Sequence, residues 1–190
     1  MTFLRNHAKT LVSVDFFVVP TVTFRLLYVL IVLSHDRRRV LYFNLTSNPT
    51  AEWTAQQIVQ AFPWDTSPKY LLRDRDGIYG DVFKERIKRM GIEQLLISFR
   101  SPWQSPFVER VIGSVRRECL DHMIILNERH LKSILKEYFP YYHDDRTHYN
   151  LGKETPSGRP VQSRPSDDAE VIALPRLGGL HHRYEWRVAA

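Results

Sequence analysis

Three apolar runs follow one another closely near the start of the chain, and they constrain the fold more than any other feature. Leu11 to Thr21, Phe24 to Asp36 and Arg38 to Thr46 are rich in valine, leucine and aromatic residues, which favour strands. Only a few residues connect each run to the next, as in strands that fold back on one another. The sequence therefore predicts a three-stranded antiparallel meander.

The spacing of the apolar residues then changes to that of a helix. Trp53, Ile58 and Phe62 recur at helical intervals, and Thr50 is placed to cap that helix. Two short strands, "KYLL" and "EQLLIS", flank a second helix, "DVFKERIKRMG". Strands joined through helices pair in parallel. The predicted fold class is α/β: a five-stranded mixed sheet, with the meander plus two parallel strands, flanked by helices.

Two further helices are predicted beyond the sheet, from about Phe107 to His122 and from Glu128 to His143. From Tyr149 onward proline, glycine and charged residues become frequent and the periodicity disappears. We therefore predict a core over residues 11–150 and an irregular C-terminal segment over residues 151–190.

Composition and charge favour an intracellular nucleic-acid-binding protein. The longest apolar run, Leu26 to Leu33, is far shorter than the roughly 20 residues of a membrane span, and residues 1–10 lack the features of a secretory signal. Cys119 is the only cysteine, which excludes an internal disulfide and a cysteine-clustered zinc site. The net charge of +6 suits a polyanionic partner, although basicity also serves solubility. We expect a cytoplasmic protein without a membrane partner.

Three acidic residues occupy prominent positions on three separate elements. Asp15 interrupts an apolar strand, where an unpaired carboxylate is costly to desolvate. Asp74 stands where the fourth strand ends, a position from which side chains reach the ligand-binding edge of a sheet. Glu109 lies near the start of a helix. If the first and fourth strands are neighbours and this helix packs across them, the three carboxylates can converge.

Convergent carboxylates are ligands for hard divalent cations such as Mg²⁺. Two such ions about 3.5–4 Å apart can activate an attacking hydroxyl and stabilise a leaving oxygen in phosphodiester chemistry. Each acid also has a purely structural interpretation: Asp15 as a hydrogen-bonded acid, Asp74 as a turn residue, and Glu109 as a helix-start acid. Within "DRDG" the Asp76-Gly77 pair is the better turn dipeptide, which leaves Asp74 as the better ligand.

Several arginines are candidates for contact with DNA. Arg116 shares a helix face with Glu109, so it could touch a phosphate beside the metals, and a solvated arginine is the alternative. Arg37 and Arg38 form part of a basic tip between strands. For these two, contact with the DNA backbone is the functional hypothesis, and simple solvation is the other.

Four segments carry a family resemblance. Their order, strand context and separations agree with the pattern, with 59 positions from Asp15 to Asp74 and 35 from Asp74 to Glu109. Together they resemble the integrase core of insertion-sequence transposases and retroviral-type integrases. The segments are "SVDFFVVPT", "YLLRDRDGIYG", "SPWQSPFVERVIGSVRRECLDH" and "ERHLKSILKEYFPYYHDDRTH".

The resemblance implies a ribonuclease H-like fold in which Asp15, Asp74 and Glu109 bind two Mg²⁺ or Mn²⁺ ions, with Asp76 behind them. It also implies an enzyme that cuts DNA and joins a 3′-hydroxyl to target DNA without a covalent protein intermediate. Such enzymes are homo-oligomeric and use no small-molecule substrate. A bacterial-type, cytoplasmic protein that is nucleoid-associated when bound to DNA is the corresponding expectation.

Two departures from the family pattern affect these expectations. Ser105 stands where family members commonly have asparagine, and we expect it to contact DNA with reduced efficiency because serine is shorter. Residues 1–10 resemble the end of a linker, whereas relatives usually carry a helix-turn-helix region ahead of the core. The chain is therefore expected to be a catalytic-core fragment, a truncated reading frame, or a part that relies on another protein for end recognition.

Two rival hypotheses remain open at this point. The first is a catalytically inactive truncated transposase that only binds DNA or partner subunits. The second is a ribonuclease H-like nuclease acting on RNA–DNA hybrids, because the same metal site could serve that reaction.

Overall fold

The structure is a computed structural model that describes residues 6–63, 66–97 and 106–188. The chain divides into two compact units, residues 1–132 and residues 133–190. The strands are β1 (Leu11–Pro20), β2 (Leu26–Ser34), β3 (Val40–Thr46), β4 (Tyr70–Arg73), β5 (Glu93–Leu96), β6 (Ala169–Arg176) and β7 (His181–Val188). The α-helices are α1 (Ala51–Ala61), α2 (Asp81–Arg89), α3 (Pro106–Glu118) and α4 (Glu128–Pro140).

The first unit is built on a five-stranded sheet with the spatial order β3-β2-β1-β4-β5. The pairs β1/β2 and β2/β3 are antiparallel. The pairs β1/β4 and β4/β5 are parallel. This arrangement confirms the predicted mixed sheet of a meander plus two parallel strands. It also confirms that the first and fourth strands are neighbours.

The core of the first unit lies between one face of the sheet and the helices α1 and α2. Leu30, Val32 and Leu71 from the strands pack in one buried cluster with Ile58 of α1 and Phe83 of α2. Burial of such side chains is the main stabilising contribution to a fold of this kind.

Helix α1 begins where the sequence predicts it to begin. The Thr50 side-chain oxygen accepts a hydrogen bond from the Trp53 backbone N–H at 3.1 Å, so a free N–H of the first turn is satisfied.

The turn between β2 and β3, residues 36–39, has an unusual composition for its geometry. Ser34 N donates to Arg39 O at 2.8 Å, and both Arg37 and Arg38 have positive φ values, 50° and 57°. Glycine and asparagine are the usual residues at positive φ, because a side chain disfavours left-handed backbone. We call residues 36–39 the arginine turn.

The second unit contains a hairpin where the sequence predicts an irregular segment. Strands β6 and β7 pair antiparallel from Ala169↔Val188 to Arg176↔His181, and Gly178 and Gly179 in the connection have φ values of 63° and 96°. The alternation within these strands is weak because small apolar, aromatic and charged residues are mixed on them. Two arginines of the hairpin, Arg176 and Arg183, also form ion pairs with Asp145, which lies more than about 30 positions earlier in the sequence.

The helices of the described ranges include none with both the length and the apolar character that a bilayer crossing requires.

Candidate active site

Asp15 lies in the middle of β1, opposite Ile31 of β2. The preceding residues Ser13 and Val14 are buried, and Asp15 itself is half-buried. Asp15 Oδ1 accepts a hydrogen bond from the backbone N–H of Phe16 at 2.8 Å.

Asp74 follows directly after β4, which is the parallel neighbour of the strand that carries Asp15. The pairing of β1 and β4 runs from Leu11↔Tyr70 to Ser13↔Leu72. Its offset of 59 positions equals the separation of Asp15 and Asp74 in the sequence. The pairing ends two residues before Asp15, so both acids lie just beyond the paired segment of the two strands.

Asp74 and Asp76 each bind their own turn. Asp74 Oδ1 accepts from the backbone N–H of Asp76 at 3.1 Å, and Asp76 Oδ1 accepts from that of Ile78 at 3.0 Å. These short-range bonds shape the loop that leaves β4. Both carboxylates remain exposed, so each has lone pairs for a further partner.

Glu109 lies in the first turn of α3, and its charge acts on Asp15. Burial raises the pKa of Asp15 to about 7, against an opposing effect of the hydrogen bond from Phe16 N–H. The negative charges of Asp74 and Glu109 raise that pKa further, and Asp76 adds to them. The acids of three elements therefore share one electrostatic environment.

These acids fit a divalent cation by their chemistry. No lysine or arginine of the described ranges forms an ion pair with Asp15, Asp74 or Glu109. Mutually repelling carboxylates without a cation are typical of a metal-binding or catalytic site. Among the described residues, however, no three acidic, histidine or cysteine side chains are gathered closely enough to form a ready coordination sphere.

Arg116 is tied to the sheet near these acids. Its Nη2 donates to the backbone oxygen of Val18 at 3.1 Å, and its guanidinium carbon lies 5.6 Å from the centre of the Phe17 ring. Part of its donor capacity therefore joins α3 to β1. Its contact with DNA stays a prediction.

The arginine turn lies beside the helix that carries Glu109. The guanidinium carbon of Arg38 is 4.7 Å from the centre of the Phe107 ring. The buried His35 ring contacts the same phenylalanine edge-on at 5.2 Å between centroids. The structure thus brings a predicted DNA-contacting turn next to the start of α3.

Ser105 lies outside the described residues, so its predicted DNA contact stays a prediction. Tyr79 is a residue that sequence reasoning missed. Its side chain is buried and the charges of Asp15 and Asp74 act on it, and the sequence offers only the signal of an aromatic residue soon after an Asp-Gly turn.

Comparisons with known proteins agree with this geometry. Residues 90–156, which include Glu109, match the integrase core domain family. A search of curated protein sequences found no match.

Solved structures share the fold at low sequence identity. A chain of the simian T-cell lymphotropic virus intasome, determined in complex with PP2A regulatory subunit B56 gamma, aligns with a TM-score of 0.65 and 13% identity. That alignment covers 94% of this chain and 66% of that one, so this chain spans just under two thirds of it.

Two catalytic domains are also similar. The HTLV-2 integrase catalytic core, determined in complex with magnesium, has a TM-score of 0.62 and 12% identity over 78% of this chain and 94% of its own. The catalytic domain of the Mos1 mariner transposase has a TM-score of 0.60 and 14% identity. That alignment covers 73% of this chain and 74% of the transposase domain. Together these comparisons confirm the predicted resemblance to the integrase core and its ribonuclease H-like fold.

Proposed function

Because residues 90–156 match the integrase core family and the chain has the fold of integrase and transposase catalytic domains, we propose that it is a metal-dependent DNA strand-transfer enzyme. In this proposal it cleaves a DNA phosphodiester and joins the resulting 3′-hydroxyl to target DNA. One observation carries the proposal. The negative charges of Asp74 and Glu109, on two other elements, both raise the pKa of the half-buried Asp15, which supports a shared acidic site.

Asp15, Asp74 and Glu109 would hold two Mg²⁺ or Mn²⁺ ions. When bound, the ions would polarise the scissile phosphate and neutralise charge on the attacking and leaving oxygens. Asp15 binds a cation only after losing its proton, which at a pKa of about 7 requires either neutral pH or competition from the cation itself.

Binding of DNA is proposed to involve the positive charge of the first unit. Arg37 and Arg38 lie in a turn that contacts Phe107 of α3 through Arg38, and Arg116 lies on α3 itself. Such residues would bind backbone phosphates without reading sequence. We further propose that the chain self-associates, since the HTLV-2 integrase core has been described in trimeric and dimeric forms.

The decisive experiment compares the wild type with Asp74→Asn on a branched DNA substrate that needs no end recognition. In Mn²⁺ the variant should lose about 10³-fold in strand joining, because removing a metal ligand forfeits several kcal/mol of transition-state stabilisation. Asp81→Asn is the matched control. Asp81 is an exposed acid in the first turn of α2 that pairs only with Lys84 within its own helix, so this variant should retain activity.

Other outcomes separate the rival functions. Equal activity of the wild type and Asp74→Asn would refute the assignment of Asp74. Salt-sensitive DNA binding without any nicking in Mn²⁺ would indicate an inactive DNA-binding protein. Cleavage of RNA–DNA hybrids without strand joining would indicate a ribonuclease H-like nuclease.

A further inference from the structure

Tyr79 carries a hydroxyl that the packing of its ring does not explain. The side chain is only 2% exposed, and its hydroxyl has no hydrogen-bond partner among the described residues. A buried hydroxyl without a partner costs about 1–3 kcal/mol. Phenylalanine would fill the same space without that cost. The hydroxyl therefore requires an explanation beyond packing.

The ring of Tyr79 is held between residues that adjoin Asp15 or Asp74 in the sequence. Phe16, the residue after Asp15, lies 6.1 Å from it between centroids. The guanidinium carbon of Arg73, the residue before Asp74, lies 5.1 Å from the ring centre. Phe83 of α2 contacts it edge-on at 5.0 Å. These contacts hold the ring against the sequence neighbours of Asp15 and Asp74.

The environment of the phenol keeps it a proton donor. Burial, together with the negative charges of Asp15 and then Asp74, holds the pKa of Tyr79 well above its ordinary value. A neutral phenol donates one hydrogen bond, and an ionised carboxylate only accepts. The Tyr79 hydroxyl is therefore a hydrogen-bond donor, and the two carboxylates whose charges act on it are acceptors.

We propose that Tyr79 is a positioning residue whose hydroxyl donates a hydrogen bond to the Asp15 carboxylate when that carboxylate binds a cation. This inference rests on the proposed function, since it assigns Tyr79 to the same metal site. One Asp15 oxygen accepts from Phe16 N–H, and a carboxylate has enough lone pairs to bind a cation and accept from the phenol as well. Donors behind a metal ligand fix its orientation and increase its affinity for the ion.

The test is Tyr79→Phe, with Tyr42→Phe as the matched control. The Tyr42 hydroxyl lies 2.9 Å from Gln57 Oε1 and 2.7 Å from Gln60 Oε1, either of which can accept its proton, so removing it breaks a hydrogen bond between β3 and α1. Each variant is titrated with Mn²⁺ by calorimetry, and its thermal unfolding is measured in EDTA. Tyr79→Phe should bind Mn²⁺ about tenfold more weakly than the wild type. Its unfolding temperature in EDTA should not fall, because an unpartnered polar atom has been removed.

The control should give the reverse pattern. Tyr42→Phe should lower the unfolding temperature and leave Mn²⁺ affinity unchanged. In the strand-joining assay, the loss in Tyr79→Phe should be recovered at saturating Mn²⁺, because the hydroxyl acts through metal affinity. A loss that persists at saturating Mn²⁺, or unchanged Mn²⁺ affinity, would overturn the role of Tyr79.

The Asp74→Asn variant distinguishes failure of this inference from failure of the proposed function. If Asp74→Asn weakens Mn²⁺ binding and Tyr79→Phe does not, only the role of Tyr79 is refuted. If the wild type binds no Mn²⁺, or binds it as tightly as Asp74→Asn does, the metal site itself is refuted and the inference fails with it.

Discussion

The two units of the chain each withdraw a carboxylate from water, but they surround it differently. Asp15 in the first unit lies near other acids, whose charges raise its pKa to about 7 after the larger effect of burial. Asp145 in the second unit has a side chain only 3% exposed and forms ion pairs with three arginines. Arg176 Nε lies 2.9 Å from its Oδ2, and Arg159 and Arg183 approach Oδ1 at 3.4 and 3.5 Å.

Backbone conformation does not separate the two units. Arg37 and Arg38 adopt positive φ in the arginine turn of the first unit, and Leu177 does so beside Gly178 and Gly179 in the β6–β7 connection of the second. The charge balance does follow the division. Residues 1–132 contain 19 basic and 13 acidic residues, and residues 133–190 contain eight of each. The excess positive charge therefore lies in the unit that carries the candidate site.

The largest expected effect concerns pH and Asp15. Because its pKa is near 7 in the folded protein against an ordinary 3.8, the folded state binds more protons between these values, and the free energy of unfolding falls as pH rises through them. About three pKa units correspond to about 4 kcal/mol. His35 acts oppositely: burial lowers its pKa to about 4, so its contribution rises from pH 4 to 6.5.

The Asp15→Asn variant separates the contribution of Asp15 to stability from that of His35. In EDTA the wild type should show a nearly flat free energy of unfolding from pH 4 to 6.5, because the two slopes oppose each other. The variant should become more stable than the wild type by about 4 kcal/mol at pH 8. Denaturant titrations at several pH values measure this difference, and Asp36→Asn, an exposed acid, is the control. Parallel pH profiles for the wild type and Asp15→Asn would remove the contrast between the units.

The opposite effect on stability is expected when Asp145, the carboxylate paired with arginines, is neutralised. Asp145→Asn should destabilise the protein by about 3 kcal/mol, because it leaves three partly buried arginines without their counter-charge. The side chains of these arginines are about a quarter to a third exposed, which places the effect at the lower end of the range for buried pairs. Thermal unfolding measures it, and the exposed neighbour Asp144→Asn provides the control. A stabilised Asp145→Asn would contradict the comparison.

The smallest effect on stability is expected in the arginine turn. A double substitution, Arg37→Asn with Arg38→Gly, should stabilise the protein by about 0.5 kcal/mol, because relief of the positive-φ backbone exceeds the loss of the Arg38–Phe107 contact. If both arginines bind phosphates, the slope of log affinity for DNA against log salt should decrease by about 2. Arg39→Gln, in the same turn, tests whether any lost charge has that effect. Unchanged DNA binding would assign the turn to structure alone.

The sequence predicts the five strands of the first unit, their order along the chain and the positions of the acids, because each depends on local composition or on spacing along one element. It does not predict contacts between distant residues. Arg116 is tied to Val18 across 98 positions, and Asp145 is paired with arginines up to 38 positions away. The hairpin of the second unit depends on such distant contacts. The burial of Tyr79 likewise becomes visible only once Phe16 and Phe83 are folded around it.

The pairing of β1 with β4 has a consequence for biosynthesis. The residues between these strands form β2, β3 and α1, so β4 can pair with β1 only after these three elements have been synthesised. Contacts of such long range form slowly in folding. Under the proposed function, the strand-transfer site would therefore form only once the sheet is complete.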